Sequence, residues 1–451
     1  MGRKNPGAGN CSGNRKRKAG KKGAGKKMHD ETEKMREEAG RMITGIIGKV
    51  LPGSAVKKAL ANYEKDRPVR VIALGKAACE MAAAAREALA ENISRGLIIT
   101  KYGHSKGATE GFETVEAGHP VPDENSVLGA RKALELVKEA GAGERILLLI
   151  SGGGSSLMEM PEAGLTLTDI QMVTKKLLRC GASIQEINRI RKRLSAVKGG
   201  KLAALCPQAE IHQIVLSDII DDDLEQIASG PACEDTTTNE MVREILRKYR
   251  ISFSPPVMEK LFSETPKHIN NVTSVIVGSV RELCRHAADF AGKSGYQPFI
   301  LSTGLDCEAK EAGKLIASAA RTICESSGGC ALHTLKRPCA LIWGGETVVT
   351  VRGRGIGGRN QEMALSVALG IAGMEKVVFF SFGSDGTDGP TDAAGGMVDG
   401  YTVSRIREKG FLPERLLEEN DSYHALACAG DLIVTGPTGT NVNDVAVLLC
   451  R

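Results

Sequence analysis

The chain has 451 residues, 42% hydrophobic and 25% charged, with 53 glycines and a formal net charge of +6. These values exclude a wholly disordered chain and, at this length, favour two domains over one. No run of 18 apolar residues occurs, so no membrane partner is expected; the basic start lacks the apolar segment of a secretory signal, and a cytoplasmic protein is the expectation.

The charge is concentrated at one end. Residues 1–28 hold ten Lys/Arg and no acid, which leaves the rest of the chain at −4. This stretch reads as a basic disordered tail, too polar and repetitive to bury a core. Its GKKGAGKK is not a Walker A loop, because Lys27 stands where Ser or Thr should be and no strand precedes it. The twelve cysteines show no CxxC and no zinc spacing, as expected of free thiols in a reducing compartment.

From residue 30 the pattern alternates. Helices are expected at 30–48 and 54–65, then a strand at 69–75, a helix at 76–89 and a strand at 95–100. A helix at 124–140, a strand at 145–151, helices at 166–180 and 182–205 and a strand at 211–218 follow. Helices at 238–249 and 256–264 precede a Pro-rich, polar boundary. A second series opens with the strand 273–279. It continues through helix 280–293, strand 297–302, helix 307–326, strands 340–344 and 347–352, helix 360–372 and strand 376–383, and closes with strands at 431–436 and 445–450. Such alternation means mainly parallel sheets covered by helices. The expected fold is two α/β domains, 29–265 and 266–451.

In open parallel sheets, ligands bind beyond the carboxyl ends of the strands, and the unusual residues gather there. Lys76 follows the first strand at a helix start, a position unfavourable for a cation unless it meets an anion. ILLLISGGGSS ends a strand in Gly152, Gly153, Gly154, Ser155 and Ser156, a run whose bare amides suit an anion nest or simply a tight turn with a capping serine. Asp218 ends another strand. Asn188, Arg191, Lys192 and Lys198 lie on a basic helix, either a solvated face or an anion-facing wall. VRGRGIGGRNQE satisfies G-x-G-x-x-G, but its arginines favour phosphate or carboxylate over a dinucleotide. Asp385, Asp388 and Asp392 follow a further strand, where they make turns, hold magnesium or accept a proton from a hydroxyl. Cations, glycine loops and carboxylates on several strand ends are the parts that phosphoryl transfer requires.

These loops also carry a resemblance. GKAACEMA, GHPVPDENS, SGGGSSL, INRIRKRLSAVKGGKLA, LSDIIDDDLEQIASGP, GGETVVTVRGRGIGGRNQEMAL, SDGTDGPTDAAGG and GDLIVTGPTGTNVNDV occur in order between residues 35 and 450. Together they resemble the class II glycerate kinases of the MOFRL type. The resemblance implies a larger, Rossmann-like N-terminal domain, a smaller C-terminal one and an active site in the cleft between them. It implies ATP and Mg2+ as cofactors and D-glycerate as substrate, phosphorylated at the 2-hydroxyl to 2-phosphoglycerate. By this resemblance Lys76 and Arg359 are the catalytic cations. The residues themselves then suggest a mechanism. Gly152 to Ser156 hold the triphosphate, and Arg359 or the helix of Asn188 and Arg191 holds the glycerate carboxylate. Some of Asp218, Asp385 and Asp388 hold magnesium, with Asp218 the first candidate. Asp385 handles the hydroxyl proton, and Glu346 and Asn360 are further binding candidates. Arg193, Asp221-Asp222 and Ile356 depart from the family pattern. The folded body is expected to bind no nucleic acid, and a homo-oligomer is compatible with the sequence. Two alternatives stand beside this one: an NAD(P)H-dependent hydroxypyruvate reductase, and a nucleic-acid-binding protein led by the basic tail.

Overall fold

The structure is a computed structural model and describes residues 14–105, 107–141, 143–325 and 331–451. Six strands form the N-terminal sheet: β1 (Val69–Leu74), β2 (Ile93–Lys101), β3 (Phe112–Ala117), β4 (Arg145–Ile150), β5 (Glu210–Leu216) and β6 (Val272–Gly278). Their order is β3-β2-β1-β4-β5-β6, and every pairing is parallel. This is the Rossmann order, and the chain reverses direction across the sheet between β1 and β4, where such sheets take their ligands. β4 is buried along its whole length. That is why RILLLI shows no polar alternation: helices cover both faces of a central parallel strand.

The C-terminal sheet contains β7 (Gln297–Leu305), β8 (Cys339–Gly345), β9 (Val377–Gly383), β10 (Gly395–Asp399), β11 (Leu432–Ile433) and β12 (Asp444–Cys450). Its order is β11-β10-β9-β12-β8-β7. Only β7–β8 is parallel; the other four pairings are antiparallel. This sheet is therefore mixed, whereas the N-terminal one is wholly parallel.

Two assignments of chain to domain change. The strand expected to open the second series is β6, which pairs with β5 at the edge of the first sheet; the sheets therefore do not divide at residue 265/266. The Pro-rich stretch lies within the crossover from β5 to β6. The first helix, Asn14–Lys49, packs on the C-terminal domain: Arg36 bonds Asp399 at 2.7 Å and Asp431 at 2.9 Å, and Glu38 accepts from Tyr296 and Arg451. Residues 14–28 continue this helix rather than forming a structureless tail. Lys, Arg and Ala have good helix propensity, and extending a helix already anchored by packing needs no new nucleus; residues 1–13 lie outside the described residues.

Other differences are local. β3 and β10 were not expected. The expected strand 347–352 makes only one bridge, Val348 to Glu308. The expected helix 182–205 breaks after Ile184–Leu194, and Gly199 and Gly200 take positive φ before a short turn of helix, Lys201–Ala204. One buried apolar cluster runs from the first helix and β1 to β9 and β12, so the two domains share a core. Among the described residues, no helix is long and apolar enough to cross a membrane.

Candidate active site

The loops after β1 and β4 meet at the switch point. The Lys76 amide donates to the Gly152 carbonyl at 2.9 Å and the Ala77 amide to Ser151 Oγ at 3.0 Å. Gly75 makes this approach possible: its φ is +121°, and a Cβ there would lie 2.2 Å from Ser151 Oγ. Gly152 is equally confined, with a Cβ position 2.1 Å from Asp218 Oδ2. Asp218, at the end of β5, is thus drawn beside Lys76 and Gly152. Burial raises its carboxyl pKa and the charge of Lys76 opposes the rise.

These loops face the C-terminal domain across a cavity of about 490 Å³. Lys76, Lys101, His104, Ser151 and Gly152 line one side; Asp385, Thr387, Thr440 and Asn441 line the other. His119 covers Gly153 next to Lys76. Burial and the charges of Lys76, Lys101 and His104 pull its pKa down to about 4. The wall opposite Asp385 thus holds two lysines beside the carboxylate of Glu80, while His119 stays neutral. A second cavity, about 720 Å³, is lined by Gly355 to Arg359, Glu362 and the 385–390 loop. The two cavities share Asp385 and Thr387. Asp385 Oδ1 accepts the Thr387 amide at 3.0 Å, which orients the carboxylate.

Arg359 begins the helix Arg359–Gly370 and is held by two acids. It bonds Asp444 at 2.6 and 3.1 Å and Glu346 at 2.7 Å. Burial raises the Asp444 carboxyl pKa, and Arg359 opposes the rise. Asn443 joins this cluster to the other domain, donating from Nδ2 to the Asp218 carbonyl at 3.1 Å and to Glu346 Oε2 at 3.2 Å.

Lys76, Gly152 and Asp385 thus come together in one cavity, with Arg359 in the adjoining one. Several other expected site residues are held by internal partners. Asp388 is buried, and its two oxygens take the amides of Asn360 at 3.2 Å and Gln361 at 2.9 Å. It caps the Arg359–Gly370 helix, where the exposed amides and the helix dipole favour a carboxylate. Asn360 is also buried, accepting from Ser381. Gly154 packs against Leu74 and Ala228, and Ser156 bonds the Gly153 carbonyl. Ser155 pairs with Ser229 at 2.7 Å. Asn188 bonds Gln226, and Arg191 bonds the Ser155 carbonyl and Glu159. The basic helix is neither a solvated face nor an open anion wall: Lys192 is buried against Glu225 and Asp235, and Lys198 against Glu159. Buried cations require such partners.

The G-x-G-x-x-G glycines serve close packing: a Cβ on Gly353 would lie 2.1 Å from the Glu419 carbonyl, and one on Gly355 2.3 Å from Asp421 Cβ. Lys101 and His104 were missed, although Lys101 directly follows an expected strand. Thr440, Asn443 and Asp444 lie in GDLIVTGPTGTNVNDV, one of the stretches that carry the resemblance, but none was singled out. Among the described residues, no group of three or more His, Cys, Asp or Glu is arranged to hold a metal ion.

A domain of unknown function (DUF4147) matches residues 38–262, and the MOFRL family matches residues 339–444. D-glycerate 2-kinase of Thermotoga maritima is 48% identical over 417 residues, covering 92% of this chain and 99% of its own. Glycerate 2-kinase of Pyrococcus horikoshii is 43% identical, covering 86% of this chain and 88% of its own. The crystal structure of glycerate kinase from Thermotoga maritima superposes with a TM-score of 0.88 at 47% identity, over 93% of this chain and 100% of that one.

Proposed function

The chain belongs to the glycerate kinase family built from DUF4147 and MOFRL domains, and from that premise we propose how its cleft carries out the transfer. The protein is a D-glycerate 2-kinase, a phosphotransferase with ATP as donor. The observation that carries the mechanism is the shared cavity, in which Lys76 and Gly152 from one domain face Asp385 and Thr387 from the other.

Lys76 offsets the negative charge on the phosphoryl group in flight, at a point where the low dielectric between domains strengthens the interaction. Lys101 adds a second cation to this wall. Among the described residues, no backbone carbonyl takes the amide of Gly152, and from its place on the cavity wall it donates to phosphate oxygens. Asp385, fixed by the Thr387 amide, receives the proton of the 2-hydroxyl. Arg359 pairs with the glycerate carboxylate, a role suited to its planar guanidinium; the two acids that hold it set the direction in which it points.

Magnesium neutralises phosphate charge when bound. The residues fit an ion carried by the nucleotide rather than an all-protein cage, since Mg2+ is commonly held by one or two carboxylates and the substrate phosphates. Asp385 and Asp218 would supply those carboxylates. Asp388 suits this less well, because it is almost wholly buried and both its oxygens cap the Arg359–Gly370 helix.

Phosphorus NMR of the product formed from ATP and D-glycerate tests the function directly. A 2-phosphoglycerate resonance is the expected result. Oxidation of NADH by hydroxypyruvate without ATP would overturn it.

A further inference from the structure

Asn443 lines neither cavity, yet it bonds to residues on both sides of the cleft, and we infer that it is a positioning residue for phosphoryl transfer. In this role, which rests on the glycerate kinase function, its amide sets the Asp218–Lys76 side of the cleft against the Glu346–Arg359 side.

The side chain spans the domain boundary. Nδ2 donates to the Asp218 carbonyl at 3.1 Å in the N-terminal domain and to Glu346 Oε2 at 3.2 Å in the C-terminal domain. Both partners only accept, so the amide has one workable orientation; the reversed one would set an oxygen against a carbonyl and a carboxylate. Holding Oε2 turns Oε1 of Glu346 to Arg359. The backbone contributes as well. The Asn443 carbonyl accepts the Ser384 amide at 3.1 Å, one residue before Asp385. The next residue, Asp444, grips Arg359. Asn443 therefore fixes, directly or through one neighbour, the strand end carrying Asp218, the proton-accepting loop and the arginine.

Two features separate this from ordinary packing. Asn443 has φ +65°, in the left-handed region where glycine is least strained and asparagine is tolerated. It is also 2% exposed, and its Oδ1 has no partner among the described residues. A glycine would satisfy the backbone without burying an unpaired oxygen. The two amide donors are what asparagine adds at this position.

The test uses the full chain with ATP, Mg2+ and D-glycerate. Asn443→Gly keeps the backbone and removes both donors; Asn443→Asp keeps the shape and sets a carboxylate against Glu346. The expected result is a fall in kcat of at least tenfold for Gly and about a hundredfold for Asp. KM for glycerate should change less than threefold and Tm by only a few degrees. Adding Glu346→Gln to Asn443→Asp restores a donor–acceptor pair and should recover at least fivefold in kcat over the single variant, a rescue that loss of packing would not show. The inference is overturned if Asn443→Gly keeps kcat within threefold, if the paired substitution recovers nothing, or if both single variants lose more than ten degrees in Tm. The unsubstituted protein is the control: if it fails to phosphorylate D-glycerate, the function itself fails and the inference with it, whereas an active control with unaffected variants sinks the inference alone.

Discussion

Asp444 holds Arg359 by two hydrogen bonds, Nε to Oδ2 at 2.6 Å and Nη2 to Oδ1 at 3.1 Å, from the first residue of β12. The pair is side-on and bidentate, which fixes direction as well as charge. Asp444→Asn keeps the volume but gives up the charge and one of the two acceptors, leaving Glu346 as the only acidic partner of Arg359 among the described residues. Steady-state kinetics should show kcat/KM for glycerate falling about 10- to 100-fold, about 1.4–2.7 kcal/mol of transition-state stabilisation. Unchanged kinetics would show that the aim of Arg359 does not matter.

Lys76 is the cation at the switch point of the parallel sheet. Lys76→Ala should lower kcat/KM by about 10²- to 10³-fold, or about 3–4 kcal/mol in the barrier. Lys76→Arg should recover part of this, since charge returns with different reach. An alanine variant with full kcat/KM would remove Lys76 from the mechanism.

Gly152→Ala isolates backbone approach from charge. The added Cβ would sit 2.1 Å from Asp218 Oδ2, so Asp218 must move away from the cleft floor. The expected outcome is a loss of at least tenfold in kcat with far-UV circular dichroism unchanged. Equal activity would mean that the loop can shift without disturbing the chemistry.

His119 gives a pH dependence to stability. Burial first, then the neighbouring cations Lys76, Lys101 and His104, take its pKa from 6.5 to about 4. Between those values the unfolded chain binds the proton and the folded one does not, so stability is full above pH 6.5 and is lost as pH falls through 4. The ring is only half-buried, and screening reduces the contribution to about 1–2 kcal/mol. Denaturant melts from pH 7 to pH 4 should show this slope, and His119→Gln should flatten it.

Removal of divalent metal by EDTA should abolish ATP-dependent turnover, and added Mg2+ should restore it. Asp385→Asn should raise the Mg2+ concentration for half-maximal activity by several-fold, in addition to lowering kcat. Full turnover in EDTA would exclude Asp385 and Asp218 as ligands.

Much of the fold was legible because hydrophobic periodicity and glycine turns are local signals. VRVIALG and ILLLIS announced buried parallel strands, and each ended in an unusual residue. Lys76, Gly152 and Asp385 were found in this way, and the structure brings them to one cavity. Asp388 shows the limit of the same logic. It too follows a strand, but whether a carboxylate faces a ligand or caps a helix depends on which helix arrives beside it. The first helix is a similar case: its amphipathic pattern predicted a covered face, but the salt bridges of Arg36 to Asp399 and Asp431 put that face on the C-terminal domain.

The sequence by itself determined the alternation of strand and helix, the strand-end placement of Lys76, Gly152 and Asp385, and the chemistry those groups can supply, because each follows from residues adjacent in the chain. Only the tertiary structure decided which of the cations and acids face the cleft and which are spent on one another. Arg359 with Asp444, Lys198 with Glu159, and Asn443 with Asp218 and Glu346 are separated by 39 to 225 residues. Pairing at such separations is set by strand order and by the need to satisfy buried charge, and neither is written into a local stretch of chain.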